Sequence, residues 1–255
     1  VSGFLTPEDG PLKVIDAHAH IWLSQAERDR RELVEALDKV PIERIYVSGL
    51  HGHDQSPDTV VRINDAVHEM LAADPRARGQ AYLNPRHGQH ALEELRRCHD
   101  LGFCMVKLWV ATRADDPLNF PVYEAAAALG MPLLLHSFVK ARGQLLNEST
   151  PWDVAEAARR YPECTFLMAH MGGDFIFGCE SVAELPNVFV DPSGSYGEKG
   201  MIEYAVQRLG ADRVIFGSDM PGSDIYHNLG KVVGASISDA EREAILHRNA
   251  ERVLP

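Results

Sequence analysis

A (β/α)8 TIM barrel, complete or slightly distorted, is the fold the sequence predicts, and three observations predict it. Short β-branched or apolar runs alternate with amphipathic helical stretches along the chain, an order that implies parallel strands joined by helical crossovers. Eight such units fit in 255 residues, and a barrel of this kind typically takes about 250. Metal-compatible side chains close several of the strands, at the end where these barrels carry their chemistry.

The first strand is Val14-Ile15 running into Asp16-Ala17-His18-Ala19-His20. Alternate strand residues share a face, so Asp16, His18 and His20 would point the same way and two imidazoles could reach one metal ion. A helix over 32–40 places Leu33, Val34, Leu37 and Val40 on one stripe, and a strand follows at 42–50. Asp58 opens a second helix with Val60, Ile63, Val67 and Leu71 on one face. Strand three is 79–83, followed by the polar loop Asn84–Gly88 and a helix carrying Leu92, Leu95 and Cys98. Strand four spans 103–110 and a helix 122–129 stops at Gly130. The nearly all-apolar run 132–136 has the pattern of a strand buried on both faces. Thr150, Pro151 and Asp153 form a capping-box arrangement for a helix reaching Arg160. Strands at 165–170, 187–191 and 213–218 follow, with helices expected at 175–183 and 198–208. Ser238-Asp239-Ala240-Glu241 caps a last helix to Leu254. No linker, charge run or low-complexity segment divides the chain, so residues 1–255 are expected to form one domain with an N-terminal extension at 1–11.

The composition excludes several classes. A net charge of −12 argues against nucleic acid and anionic membrane surfaces as partners, since both need a basic face. No apolar run approaches ~20 residues, so no spanning helix is expected. The N-terminus lacks a basic segment before an apolar core, which argues against a secretory signal. The four cysteines Cys98, Cys104, Cys164 and Cys179 show no C-x-x-C spacing, so a zinc knuckle or thioredoxin-type pair is unsupported and buried thiols in the cytoplasm are expected. A homodimer would be unsurprising.

His-x-His alone is weak. With 12 His in 255 residues, chance supplies roughly half a copy per chain, and a second copy stands at His51-Gly52-His53. Position adds the weight. His18 and His20 end strand one, His136 strand five and His170 strand six, while Asp219 follows strand eight. Each has an ordinary structural explanation when taken singly. Together they would converge on one mouth of the barrel.

The residues Asp16–His20, His136, His170-Met171-Gly172-Gly173 and Phe216-Gly217-Ser218-Asp219-Met220-Pro221 resemble the motifs of the metal-dependent amidohydrolase superfamily. Leu246–Leu254 is similar to the ending of its branch that contains aminocarboxymuconate-semialdehyde decarboxylase. The resemblance spans almost the whole chain. It implies metal ligation by His18, His20, His136 and Asp219, with His170 a base or a polariser of the substrate oxygen; Asp16, one pleat deeper in the strand, is read as a carboxylate that supports the ligands or the structure. It implies one divalent ion, Zn2+ first and Mn2+, Fe2+ or Co2+ as alternatives. Lys107 on strand four is read as an ion-pairing lysine at the barrel mouth, not a carboxylated bridge to a second metal.

Such a site suits a hydrolase of a small amide, ester or lactone. Metal lowers the pKa of water toward ~7, Asp219 would take and return the proton, and His170 would steady the oxyanion. Hydrolysis is the expected reaction. The alternative is a metal-dependent non-oxidative decarboxylase of an unsaturated or aromatic acid, and a barrel kept only for binding ranks third. The small-molecule substrate would meet Lys107, Trp109, Arg86, Arg113, His51 and His53, with Tyr82, Ser193 and Tyr196 shaping the rim.

Overall fold

The computed structural model describes residues 12–53, 55–194 and 196–255, so the expected N-terminal extension at 1–11 lies outside the described residues. Seven strands run in sequential order in one parallel sheet: β1 (Val14–Trp22), β2 (Ile42–Leu50), β3 (Ala77–Tyr82), β4 (Met105–Leu108), β5 (Leu133–Leu135), β6 (Phe166–Met168) and β7 (Val188–Val190). Between them lie α1 (Ala26–Lys39), α2 (Pro57–Ala73), α3 (Gln89–Asp100), α4 (Phe120–Ala128), α5 (Pro151–Arg160) and α6 (Phe175–Val182). After β7 come α7 (Met201–Leu209), α8 (Ile225–Val233), α9 (Asp239–Glu243) and α10 (Asn249–Val253), the last two joined by a π-helical turn at Ala244–Arg248. This is the (β/α) barrel that the alternation predicts.

The eighth position differs from expectation. Residues 213–218 do not form a ladder strand; the sheet closes through isolated bridges, Val190 to Val214 within this stretch and Ala19 to Met220 just past it. The stretch still bonds to both neighbours: Ile215 N–H donates to Val190 O at 2.9 Å, and Ala17 N–H to Phe216 O at 2.9 Å. Two features end regular pairing here. Asp219 takes a left-handed backbone conformation with φ of 61°, which few non-glycine residues adopt. Gly217 lies so close to β1 that a Cβ would sit 2.8 Å from His18 Cβ.

Caps and periodicity explain most helices. The Thr150–Asp153 and Ser238–Glu241 capping boxes both form. Helix α8, absent from the sequence reading, is capped by Asp224 accepting from His227 N–H and buries Ile225, Asn228, Leu229 and Val232. That is an i, i+3, i+4, i+7 stripe with a cap, the signal used for the other helices.

The core has two parts. Helix stripes pack on the outer face of the sheet around Leu33, Val67, Leu95, Val122, Val154 and Ile202. Alternate strand residues Ile15, Tyr46, Met105, Leu134, Leu167 and Ile215 converge in a second buried cluster, which Ala250 and Leu254 of the C-terminal segment join. This is the filled interior expected of a small barrel. Among the described residues no helix is long and apolar enough to cross a membrane.

Candidate metal centre and active site

Strand β1 does not hold strict alternation. Its pairing with β2 slips between Asp16 and Ala19, and the slip separates Asp16 from the histidines. Asp16 Oδ1 accepts from His18 N–H at 3.1 Å and Ser218 N–H at 2.9 Å, while Oδ2 accepts from Ser218 Oγ at 2.5 Å. Its carboxyl therefore ties β1 to the eighth segment, and burial pushes its pKa up to about 7. His18 and His20 project into the mouth beside Asp219. The two Nε2 atoms are 2.9 Å apart, and Asp219 Oδ1 lies 3.6 Å from the first and 3.2 Å from the second.

These three residues form a set whose ligand atoms all lie within 4.8 Å of one another. The chemistry of the donors fits a divalent metal. Burial pushes His18 down to about 3 and lowers His20 as well, so both imidazoles are neutral and offer lone pairs. The nitrogen of each ring that turns away from the set is held: His18 Nδ1 donates to Asp191 Oδ2 at 3.0 Å, and His20 Nδ1 is hydrogen-bonded to Ser48 Oγ at 2.8 Å. Holding the outer nitrogen orients a metal-ligating imidazole. Burial raises the Asp219 carboxyl, but the adjoining His20, His170 and His18 rings outweigh it, leaving Asp219 well below the usual carboxylate range.

His136 stands outside that set. It follows β5, its Nε2 donates to Glu148 Oε1 at 2.9 Å, and burial pushes it down to about 4. Among the described residues no hydrogen bond reaches its Nδ1, which is thus the free ring nitrogen. His170 does not end a strand; it lies in a tight turn after β6 with φ of 61°. Asp191 Oδ1 stabilises that turn by accepting from His170 N–H at 3.1 Å and from Ser193 N–H at 2.9 Å. The His170 ring lies 5.1 Å from that of His18 and 5.2 Å from that of His136. Ser193 Oγ joins two rings, 3.0 Å from His18 Nδ1 and 2.9 Å from His170 Nδ1.

Lys107 is 1% exposed and its Nζ donates to His18 Nε2 at 3.2 Å. Burial lowers its pKa to about 8. The ion-pair reading for it is not what the geometry shows: among the described residues no carboxylate reaches ion-pair distance of Nζ, and its partner is an imidazole lone pair. Outside His170, a cleft is lined by Phe138, Phe175, Tyr196, Glu198 and Ser193.

The remaining substrate-contact candidates are scattered. Trp109 packs edge-on against Trp22 at 5.6 Å, with His53 at 5.1 Å. His51 is half-buried in the loop after β2, its carbonyl accepting from Gln55, and Tyr82 OH donates to Gln55 Oε1 at 2.9 Å. Arg86 is exposed and donates to Ala111 O at 2.7 Å, and the exposed Arg113 faces Asp115 at 3.6 Å. Neither guanidinium bonds to a residue of the metal set. Sequence reasoning missed Asp191, Ser48 and Glu148. Asp191 ends strand seven, so the rule that selected His136 would have found it. Ser48 and Glu148 carry no comparable signal.

The amidohydrolase family model matches residues 15–255. The chain belongs to the amidohydrolase family. Among curated proteins it is 25% identical to the gamma-resorcylate decarboxylase of Polaromonas sp. strain JS666 over 290 residues, covering 89% of this chain and 87% of that one. It is 26% identical to the gamma-resorcylate decarboxylase of Rhodococcus jostii, over 80% of this chain and 78% of the relative. A solved dihydroxybenzoic acid decarboxylase from Polaromonas sp. JS666, with bound manganese and the inhibitor 2-nitroresorcinol, superposes with a TM-score of 0.73 at 22% identity, covering 94% and 96% of the two chains. At that identity the match establishes the fold.

These relatives overturn the expectation of hydrolysis, because all three are decarboxylases. The physical reason for the misreading is plain. A His/Asp metal set serves either reaction, and the groups that separate the two are non-ligand side chains around it. The preference for zinc is likewise unsupported, since the related structure holds manganese.

Proposed function

We propose that this amidohydrolase-family enzyme is a metal-dependent, non-oxidative decarboxylase of a hydroxylated aromatic carboxylic acid. The observation that carries the reading is the pair of gamma-resorcylate decarboxylases matched over 89% and 80% of this chain. Two features of the site support it: the uncompensated Lys107 ammonium beside the metal set, and the aromatic cleft of Phe138, Phe175 and Tyr196 outside His170.

The ion would be one Mn2+, which His18, His20 and Asp219 would hold, with His136 Nδ1 as a further donor. It would supply positive charge to offset that of an anionic substrate. Lys107 Nζ lies 3.2 Å from His18 Nε2 with no carboxylate at ion-pair distance among the described residues, so the ammonium is placed to pair with an oxygen of the acid. A buried cation without such a partner is costly, so Lys107 favours anionic substrates. Phe138 and Tyr196, whose rings are 5.7 Å apart, offer faces for the aromatic ring.

Decarboxylation requires a proton on the ring carbon that bears the carboxylate. Asp219 is held ionised and is therefore suited to ligation, not to donation. His170 lines the cleft with Nδ1 fixed by Ser193, which leaves Nε2 to carry the proton. Transfer from Nε2–H to carbon, breakage of the ring–carboxylate bond and return of its electrons to the ring release CO2. Solvent then reprotonates His170. The test is CO2 release from gamma-resorcylate by Mn2+-loaded enzyme, with H170N binding the acid normally but turning over about 10²–10⁴-fold more slowly. A wild-type enzyme that releases no CO2 from a panel of hydroxybenzoates contradicts the reading.

A further inference from the structure

Glu148 sits in the loop between β5 and α5, a segment with no helix or strand, yet it is 3% exposed. One carboxylate organises the whole loop. Its Oε1 accepts from His136 Nε2 at 2.9 Å and Lys140 Nζ at 2.6 Å, and its Oε2 from Gln144 Nε2 and Leu145 N–H, both at 3.2 Å. Gln144 in turn binds the start of the loop, donating to Phe138 O at 2.8 Å and accepting from Lys140 N–H at 2.9 Å. Burial raises the Glu148 carboxyl, but the His136 and Lys140 bonds outweigh it and bring it down to about 2.

The far side of this loop is the cleft. Phe138 lines it, Lys140 and Arg142 line a broader hollow that shares Phe138, Phe175 and Tyr196 with it, and the Phe138 ring lies 5.6 Å from that of His170. The same carboxylate thus touches a candidate metal ligand on one side and the framework of the substrate wall on the other.

We propose that Glu148 is a positioning residue that couples metal held through His136 to the wall of the substrate cleft. The inference rests on the metal reading above. A cation on His136 Nδ1 withdraws electron density from the ring and makes Nε2–H a stronger donor. The bond to Glu148 tightens, and with it the loop that presents Phe138. Linkage makes the effect reciprocal between the two ligands: an acid seated on the loop raises affinity for the metal by the factor by which the metal raises affinity for the acid. An aromatic acid packed on Phe138 therefore strengthens metal binding, and metal strengthens binding of the acid.

The experiment is Mn2+ titration of the full chain by calorimetry, with hydrogen–deuterium exchange over 137–149 measured with and without Mn2+. In the wild type, Mn2+ slows exchange in this loop. In E148Q it binds about 10–100-fold more weakly, and the loop's exchange no longer responds to it. K140M removes a different anchor of the same loop, a half-exposed ion pair, and keeps Mn2+ affinity within about fivefold. That contrast separates coupling from simple loosening. A wild type that binds Mn2+ while E148Q binds it equally well overturns the role of Glu148 and leaves the metal reading standing. A wild type that binds no Mn2+ removes the metal reading and this inference with it. Should E148Q fail to fold, E148D keeps the charge but withdraws it from His136 by one methylene, and the same outcomes apply.

Discussion

Replacing Gly217 with Ala tests whether the closing of the barrel builds the metal set. A Cβ at this position would stand 2.8 Å from His18 Cβ and 3.3 Å from Asp191 Cβ. Carbon atoms rest at about 3.5–4.0 Å, so β1 and the eighth segment would have to part by ~0.7–1.2 Å. His18 Cβ is fixed to the backbone and cannot swing aside. The parting would strain the two bonds that join these segments next door, Asp219 N–H to His18 O and His20 N–H to Met220 O, each 2.7 Å. Overpacking of this kind costs about 1–3 kcal/mol, which for a domain of this size lowers Tm by roughly 2–12 °C. Because Asp219 is carried away from His20, Mn2+ affinity should fall at least about tenfold, equivalent to ~1.4 kcal/mol. Gly79→Ala is the control, since its Cβ would meet the Phe103 ring at 2.6 Å, outside the metal set. Thermal denaturation and Mn2+ titration of both variants distinguish the cases: G79A should lose stability and keep metal affinity, and G217A should lose both. A G217A protein that matches wild type in both measurements refutes the reasoning, as does equal loss of metal affinity in G79A.

Three further outcomes follow from the same geometry. Lys107→Met should raise the Kd for a hydroxybenzoate by about 30-fold or more, the lower end of the cost of truncating one member of a buried charge pair, while the Kd for a neutral phenol such as resorcinol stays unchanged; equal losses for acid and phenol would argue against carboxylate recognition. Mn2+ at 100 times its Kd should stabilise the wild type by about 2.7 kcal/mol, seen as a rise in Tm that a chelator reverses and that His18→Ala abolishes; a Tm indifferent to Mn2+ counts against the site. Glu94 is buried and accepts from Arg97 Nε and Nη2 and from Asn64 Nδ2, each at 2.8 Å. Burial raises its pKa, but these bonds outweigh burial and leave it below the ordinary value of 4.5. Its contribution is therefore present above pH 4.5 and lost as pH falls through the lowered folded value, so E94Q should flatten the acid limb of a urea-denaturation series, and an unchanged limb would contradict the assignment.

Much of the fold was legible because local patterns and global topology agree here. Strand β2 carries a β-branched run, β5 an all-leucine one, and the helices opened by Thr150 and Ser238 carry capping boxes, which leaves little alternative. The eighth strand misled because Val214, Ile215 and Phe216 have strand composition. Gly217 and the left-handed Asp219, which break the ladder, act through tertiary contact with β1. Helix α8 carries the same local signals in its Asp224 cap and the stripe of Ile225, Leu229 and Val232.

The site was legible in its residue types and less so in its roles. His18, His20 and Asp219 converge as their positions implied. Asp16 parted from them because a register slip in β1 cannot be seen in strict alternation. Asp191 and Ser193, which steady His18 and His170, obey the same strand-end rule as the histidines but are ordinary residue types. Glu148 lies in a loop without periodicity, and its partners become adjacent only when that loop folds. The reaction could not be read from His18, His20 and Asp219, because a set of that chemistry serves hydrolysis and decarboxylation alike.

Decarboxylation in D2O is the most direct measurement. Mn2+-loaded enzyme and gamma-resorcylate should give CO2 and resorcinol carrying one deuterium at the ring carbon that held the carboxylate, resolved by proton NMR. Resorcinol with no deuterium at that carbon would contradict proton delivery there, and intact acid beside turnover of esters or lactones would contradict the account as a whole.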